Sequence, residues 1–287
     1  MTSFISYLIN GLAVGCGFAL LASGLVTVHR VTGVANFAAA TCAVVAGLAT
    51  GSLLGGGLPH GLAELAGVAL AALTGLLTGV AALGKRDTTP HAALIVTLGV
   101  AILAYAVEIA IWGDQPTSFA GLRGSLDLGG ARVQWQYLLV IGVTAVVFAG
   151  LGLFFTRTYA GKALTACASD PYAARLVGIG VLRMSLVAFA LGGGLGGVAG
   201  VLLTPLQPIS FDSDVSLIVN GFAAAILGGL NRPAPALAGG LLLGVAEAMV
   251  AGYGNASYQT EIALALMLVI MVWRAARTPA VHEEATA

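Results

Sequence analysis

Arg157-Thr-Tyr-Ala-Gly-Lys-Ala-Leu-Thr-Ala-Cys-Ala-Ser-Asp-Pro-Tyr-Ala-Ala-Arg-Leu-Val-Gly-Ile-Gly-Val-Leu-Arg183 is a polar island in an apolar chain. It carries four of the twelve Lys and Arg residues and a single acid, Asp170. The runs on either side, Gln136–Thr156 and Met184–Thr204, hold no charged residue. Each is roughly 20 residues long, about the length that crosses a bilayer as a helix.

The pattern of those walls extends over the whole chain. Of 287 residues, 59% are hydrophobic and 8% charged, and the mean hydropathy is +0.99. A soluble domain carries about 25% charged residues, so most of this surface meets lipid. Lipid offers no hydrogen bonds, and a helix satisfies its own backbone, so the spanning elements are predicted to be helices. Barrel strands would be about ten residues long and alternating, which these runs are not. Gly is abundant at 41 residues, as expected where membrane helices pack closely. Nine hydrophobic segments are read: Phe4–Val28, Val34–Leu54, Leu62–Leu83, Ala92–Trp112, Gln136–Thr156, Met184–Thr204, Val215–Leu230, Pro233–Ala251 and Tyr258–Trp273. The seventh is short, and if it is a half-helix the count is eight. The expected fold is an all-α polytopic membrane protein. Residues 1–287 form a single transmembrane domain with a cytoplasmic loop at 157–183.

Orientation follows from where positive charge collects. Lys85-Arg86, the 157–183 loop, Arg274 with Arg277, His29-Arg30 and Arg232 read as cytoplasmic. The loop Gly113–Trp135 is balanced, and the turn around Asp212 and Asp214 is purely acidic; both read as outside. An outside N-terminus and a cytoplasmic C-terminus require an odd number of crossings, which favours nine. The N-terminus lacks the charged start of a cleaved signal peptide, so the first segment is expected to be retained.

Two joints are too short and too polar to be ordinary loops: His29-Arg-Val-Thr-Gly-Val-Ala-Asn-Phe37 and Gly228-Gly-Leu-Asn-Arg-Pro-Ala-Pro235. Gly and Pro there break helices and free backbone groups, which is tolerable only against protein or a watered cavity. Each follows an Asn-Gly pair, Asn10-Gly11 and Asn220-Gly221. This pattern fits either an internal repeat or chance in a Gly-rich chain. Asn10, Asn36, Phe37 and Asn220, in or near these breaks, are the candidates for a translocation path. Glu108 reads as about one turn from the end of its segment, and Glu247 is the one carboxylate that reads as deep in the membrane. It is either hydrogen-bonded between helices or part of a transport path.

Enzymatic and nucleotide chemistry find no support in the spacing. Gly79-Val-Ala-Ala-Leu-Gly-Lys85 fits the first seven positions of a P-loop, but Arg86 stands where the magnesium-binding hydroxyl belongs. No His or Cys has metal-ligand spacing to another, and no Gly-x-Ser-x-Gly elbow is present. Cys16, Cys42 and Cys167 are far apart and odd in number, suited to packing rather than to a disulfide framework. Zero net charge and the absence of a basic tract argue against nucleic acid.

Within the polar island, Asp170-Pro171 is a helix start: the carboxylate caps free N–H groups and Pro suits the first helical position. Ala173, Ala174, Leu176 and Val177 follow at helical spacing, and Gly178 is a suitable stop. A helix of about two turns is marginal in water alone. It rests either on its own membrane domain or in a groove of a cytoplasmic partner.

The run Gly161–Ile179 resembles the cytoplasmic loop of branched-chain amino acid ABC importer permeases of the LivH type. Ala173-Ala174-x-x-x-Gly178 is also similar to the EAA coupling motif of bacterial importers, with Tyr172 where Glu would stand. Three further stretches agree in order and spacing. Asn10–Gly24 resembles the family's opening helix and Gly33-Val-Ala-Asn-Phe-Ala38 its Asn-Phe-Ala element. Gly221–Gly229 with Ala238–Ala248 resembles its closing part. The chain departs from the family where Ala39-Ala40 replace His-Gly and where Leu230-Asn231-Arg232 replace Ile-Gly-Ser.

The resemblance implies a permease of the bacterial inner membrane that moves branched-chain or similar hydrophobic amino acids. Its implied partners are cytoplasmic ATPase subunits, a homologous second permease subunit in a heterodimer and an extracytoplasmic substrate-binding protein. ATP and Mg would sit on the partners, and this chain would bind no cofactor. Asp170, Pro171, Tyr172, Ala173, Ala174, Arg175, Leu176 and Gly178 would couple the ATPase to the membrane domain. Urea, short amides, aromatic acids or sugars are alternative cargoes. A stand-alone ion-coupled carrier or channel is the alternative from another class, and the scarcity of membrane carboxylates argues against it.

Overall fold

The computed structural model describes residues 2–84, 89–122, 124–128, 131–230 and 233–254, together with 261, 264, 265, 268, 269 and 272. Lys85, Arg86, Arg123, Arg232, Arg274, Arg277 and most of the segment Tyr258–Trp273 fall outside these residues.

Each apolar run within the described residues forms a helix. They are α1 (Thr2–Thr32), α2 (Ala39–Gly55), α3 (Leu62–Leu83), α4 (Pro90–Trp112) and α5 (Trp135–Arg157), then α6 (Tyr159–Ser169) and α7 (Pro171–Leu176) in the polar island. After these come α8 (Val181–Leu203), α9 (Ser213–Gly228) and α10 (Pro233–Tyr253). The loop between α4 and α5 holds an antiparallel hairpin, β1 (Ser125–Leu128) and β2 (Ala131–Gln134), with Leu126 opposite Val133. Among the described residues, six helices are long and apolar enough to cross a membrane: α1, α3, α4, α5, α8 and α10. With 17 and 16 residues, α2 and α9 are apolar but shorter than the roughly 20 residues a crossing needs.

The bundle is built around α1. Its apolar window is 89% buried, against 11% in α4 and in α5, which form the rim. Rim residues such as Ile95, Ile102, Leu103 and Val146 are exposed and apolar, as a surface facing lipid should be.

Glycine permits the close central packing, because helices approach until backbone touches backbone. A Cβ on Gly15 would lie 2.7 Å from Gly240 O, and one on Gly11 would lie 2.7 Å from Val245 Cα, so α10 runs antiparallel along α1. Gly24 meets Gly192 O at 2.7 Å, and Gly75 meets Phe189 O at 2.5 Å, joining α8 to α1 and to α3. Gly200 in α8 sits directly on the Ala43 backbone of α2.

These contacts also fix where the short helices begin. Gly196 in α8 faces both Ala39, at the start of α2, and Leu21 of α1. From Leu21 to the end of α1 at Thr32 is 11 residue steps, about 16 Å of helix at 1.5 Å each. The chain returns over that distance through Gly33–Ala38 without helical structure. α2 therefore starts part-way along the bundle. α9 runs antiparallel to it, with Phe222 beside Phe37 and Asp214 beside Thr41.

Candidate functional site

Three features could carry transport chemistry: the crossing of α2 and α9, a polar cavity beside α9, and the α6–α7 arm.

At the crossing, hydrogen bonds hold the broken joint at several points. Asn36 is buried, and its Oδ1 accepts from the Ala38 N–H at 3.1 Å, which turns the chain into α2. The Phe37 N–H donates to Thr97 Oγ1 of α4 at 3.3 Å, and the Phe37 ring lies 5.2 Å from that of Phe222. The Thr41 hydroxyl donates to Asp214 Oδ2 at 3.0 Å, linking the first turns of the two short helices.

The acids here differ from the sequence reading. Glu108 was expected near a segment end and Asp214 in an outside turn, with Glu247 the only deep carboxylate. Instead Glu108 is 1% exposed and Asp214 9%. Glu108 falls on the inward side of α4 while its neighbours Val107 and Ile109 face outward, and its carboxylate lies near enough to Asp214 to interact with it. Neither oxygen of Glu108 has a hydrogen-bond partner, nor does Asp214 Oδ1. Sequence gave no sign of this pairing, because its members stand on different helices far apart in the chain.

The polar cavity, about 340 Å³, lies between α1, α9 and α10, with the 207–212 stretch at its mouth. A two-way backbone bridge, Thr117 N–H to Ile209 O at 2.8 Å and Ile209 N–H to Thr117 O at 2.9 Å, ties that stretch to the α4–α5 loop. Asn220 and Glu247, two of the sequence candidates, both line the cavity. They are 7% and 6% exposed, and Asn220 Oδ1 and Glu247 Oε1 have no hydrogen-bond partner. Asn10 is not part of this group. It lines a separate recess of about 190 Å³ with Tyr7, Gln134 and Tyr137. A larger groove of about 730 Å³ between α3, α5 and α8 has mostly apolar walls, with His60 and Glu64 among its few polar residues.

The polar island forms an arm of two helices, of which the sequence reading found the second. α6 is capped by Thr158, whose Oγ1 accepts from the Gly161 N–H at 3.0 Å, and it buries Gly161, Leu164 and Cys167. That three-residue spacing was the available signal for it. Burial pushes the Cys167 thiol above its ordinary value, with the Arg175 charge pulling the other way.

α7 follows at once. Asp170 Oδ1 accepts from the Tyr172 and Ala173 N–H groups at 2.8 and 3.1 Å. At the other end Gly178, with φ of +84°, closes a Schellman turn: its N–H reaches Arg175 O, and the Ile179 N–H reaches Ala174 O. Ala174 is buried among Leu164, Cys167 and Ala188 and seats the helix on the domain. Tyr172, Leu176 and Val177 are 70%, 72% and 76% exposed. α7 thus rests on its own domain and still offers an apolar outer face.

Residues 7–273 match the family model described as "Branched-chain amino acid transport system / permease component". The high-affinity branched-chain amino acid transport system permease protein BraD of Pseudomonas aeruginosa is 29% identical over 289 residues, covering 94% of each chain. A probable branched-chain amino acid transport permease protein LivH of Methanocaldococcus jannaschii is 30% identical over 269 residues, covering 88% of this chain and 84% of the relative. Among solved structures, PsaBC from Streptococcus pneumoniae in complex with Fab superposes with a TM-score of 0.54 over 92% of this chain and 91% of that one, at 13% identity. That likeness concerns the fold. Taken with a bundle of apolar helices wound on a glycine-lined core, the matched length places this chain in the permease component family of branched-chain amino acid transport systems.

Proposed function

We propose that the protein is the membrane-spanning permease subunit of an ABC importer for branched-chain or similar hydrophobic amino acids. In this reading the segment Tyr258–Trp273 adds a ninth apolar run, with the N-terminus outside and the C-terminus in the cytoplasm. ATP and Mg are held by cytoplasmic ATPase subunits, a second, homologous permease completes the path, and an extracytoplasmic binding protein delivers the cargo. The chain acts as one permease domain and works in the bacterial inner membrane.

The observation that carries the reading is the state of α7. An exposed helix of six residues is capped at both ends, anchored through Ala174, and presents Tyr172, Leu176 and Val177 to solvent. Exposed apolar groups on a rigid, seated element are what a docking partner uses. Ala173 and Arg175 border that face, while Asp170, Pro171 and Gly178 hold its shape. Force applied there reaches α8 through Ala174 and Ala188, and α8 packs on α1, α2 and α3. The cavity with Asn220 and Glu247 is the stretch of path we assign to this subunit, and Phe37 and Asn36 form the wall beside α9.

The reading is tested by uptake of radiolabelled L-leucine into proteoliposomes holding the complete complex. The expected result is uptake that needs ATP, the ATPases and the binding protein together. Equal uptake by this chain alone, without ATP, would establish a stand-alone carrier instead.

A further inference from the structure

We propose that the cavity between α1, α9 and α10 is a charge filter that takes ligands bearing an ammonium group and turns away anions, with Glu247 and Asn220 meeting the cation. That this filter lies on the transport path rests on the permease reading; the charge preference itself does not.

The charged groups of the cavity are all acidic: Asp212 and Glu247, set among uncharged polar side chains. Its lining includes Gln207, Ser210, Asp212, Ser216, Asn220 and Glu247, and none of its lining residues is basic. Asp212 stands exposed near the mouth, accepting from the Ser210 hydroxyl. Glu247 and Asn220 stand deeper, each more than nine-tenths buried with an oxygen that has no partner. A buried carboxylate without a donor is costly, and a cation or a proton relieves it. An ammonium group brings three N–H donors and a positive charge, which suits a carboxylate oxygen and an amide oxygen opening on one space. A neutral amide or sugar gains only ordinary hydrogen bonds there, and a carboxylate-only ligand meets repulsion from Asp212 and Glu247. The buried acid of α9, Asp214, is engaged with Thr41 on the α2 side and does not line the cavity. Of the candidate cargo classes, the filter favours amino acids over urea, aromatic acids and sugars.

Ser216 is exposed and lines the cavity, which makes Ser216→Cys a reporter. The native thiols Cys16, Cys42 and Cys167 are 3%, 1% and 1% exposed and add little background. The complete complex carrying S216C is treated with a cationic reagent, 2-aminoethyl methanethiosulfonate, and an anionic one, 2-sulfonatoethyl methanethiosulfonate. With rates normalised to a free thiol, the cationic reagent should react about tenfold faster. E247Q should lower the ratio by about threefold, with Asp212 keeping the remainder, and E247D should retain the full preference. Should E247Q not assemble, S216C alone still decides the matter: 3-methylbutylamine should slow labelling and 4-methylpentanoate should not. A ratio near one in S216C, a ratio unchanged by E247Q, or equal protection by the two probes would overturn the filter. ATP-driven leucine uptake accompanied by such a result would leave the permease standing, whereas absent uptake with an intact ratio would remove the permease and keep the filter.

Discussion

The α6–α7 arm and the α2–α9 crossing are both made of short helices, and they are held in opposite ways. In the arm, the hydrogen bonds that start and stop each helix come from residues a few positions away: Thr158 to Gly161, Asp170 to Tyr172 and Ala173, Gly178 to Arg175. At the crossing, the ties span the chain, as Thr41 does to Asp214 across 173 residues and Phe37 to Thr97 across 60. A locally closed element can move as a unit without losing its shape. An element held by distant partners changes only when the bundle around it changes. The difference suits a lever at one end and a gated interior, and it can be broken experimentally at either place.

The largest effect is expected where α2 has no room. Gly200→Val would press a side chain into the Ala43 backbone, which cannot rotate aside. A cost of about 3 kcal/mol or more is expected from overpacking, seen as loss of monodisperse protein on size-exclusion chromatography in detergent. Next comes Thr41→Val, which leaves the buried Asp214 carboxylate without its donor. It should lower stability by about 2 kcal/mol, read as a lower Tm in detergent. Asp214→Asn keeps an acceptor for Thr41 and removes one of two adjacent buried acids, so it should be better tolerated than T41V. In the arm the scale is smaller and local. Gly178→Ala forces a Cβ into the left-handed region, costing about 1–2 kcal/mol. It should speed hydrogen exchange at Ala174–Ile179 while leaving the global Tm unchanged. If G178A lowered the global Tm as much as T41V, the contrast between arm and crossing would fail.

The same contrast explains what could be read from the sequence. Cap and stop residues of α7 lie within nine positions of one another, so Asp170-Pro171 and Gly178 announce the helix before any partner is known. Helix positions were legible because apolar runs must span lipid, and Leu62–Leu83 came out at the observed bounds. The start of α2 was not: hydrophobicity begins at Val34, yet the helix begins at Ala39, because Asn36 turns the chain only after it has returned along α1. Glu108 and Asp214 were misjudged for a related reason. Proximity to a segment end suggested solvent, whereas α4 and α9 turn both residues inward. Asn220 and Glu247 were named singly for their polarity. That they share a cavity is a property of the α9–α10 pairing through Ala224, Gly228, Ala236 and Gly239, which sequence does not display.

The central claim is that α7 is where a separate ATPase takes hold, and co-purification tests it directly. The double variant Tyr172→Asp, Leu176→Asp alters exposed positions only and leaves Ala174 and both caps in place. It should insert and elute like the wild type while the ATPase subunits no longer co-purify, and ATP-dependent leucine uptake should vanish with them. Full ATPase recovery with this variant would contradict the account.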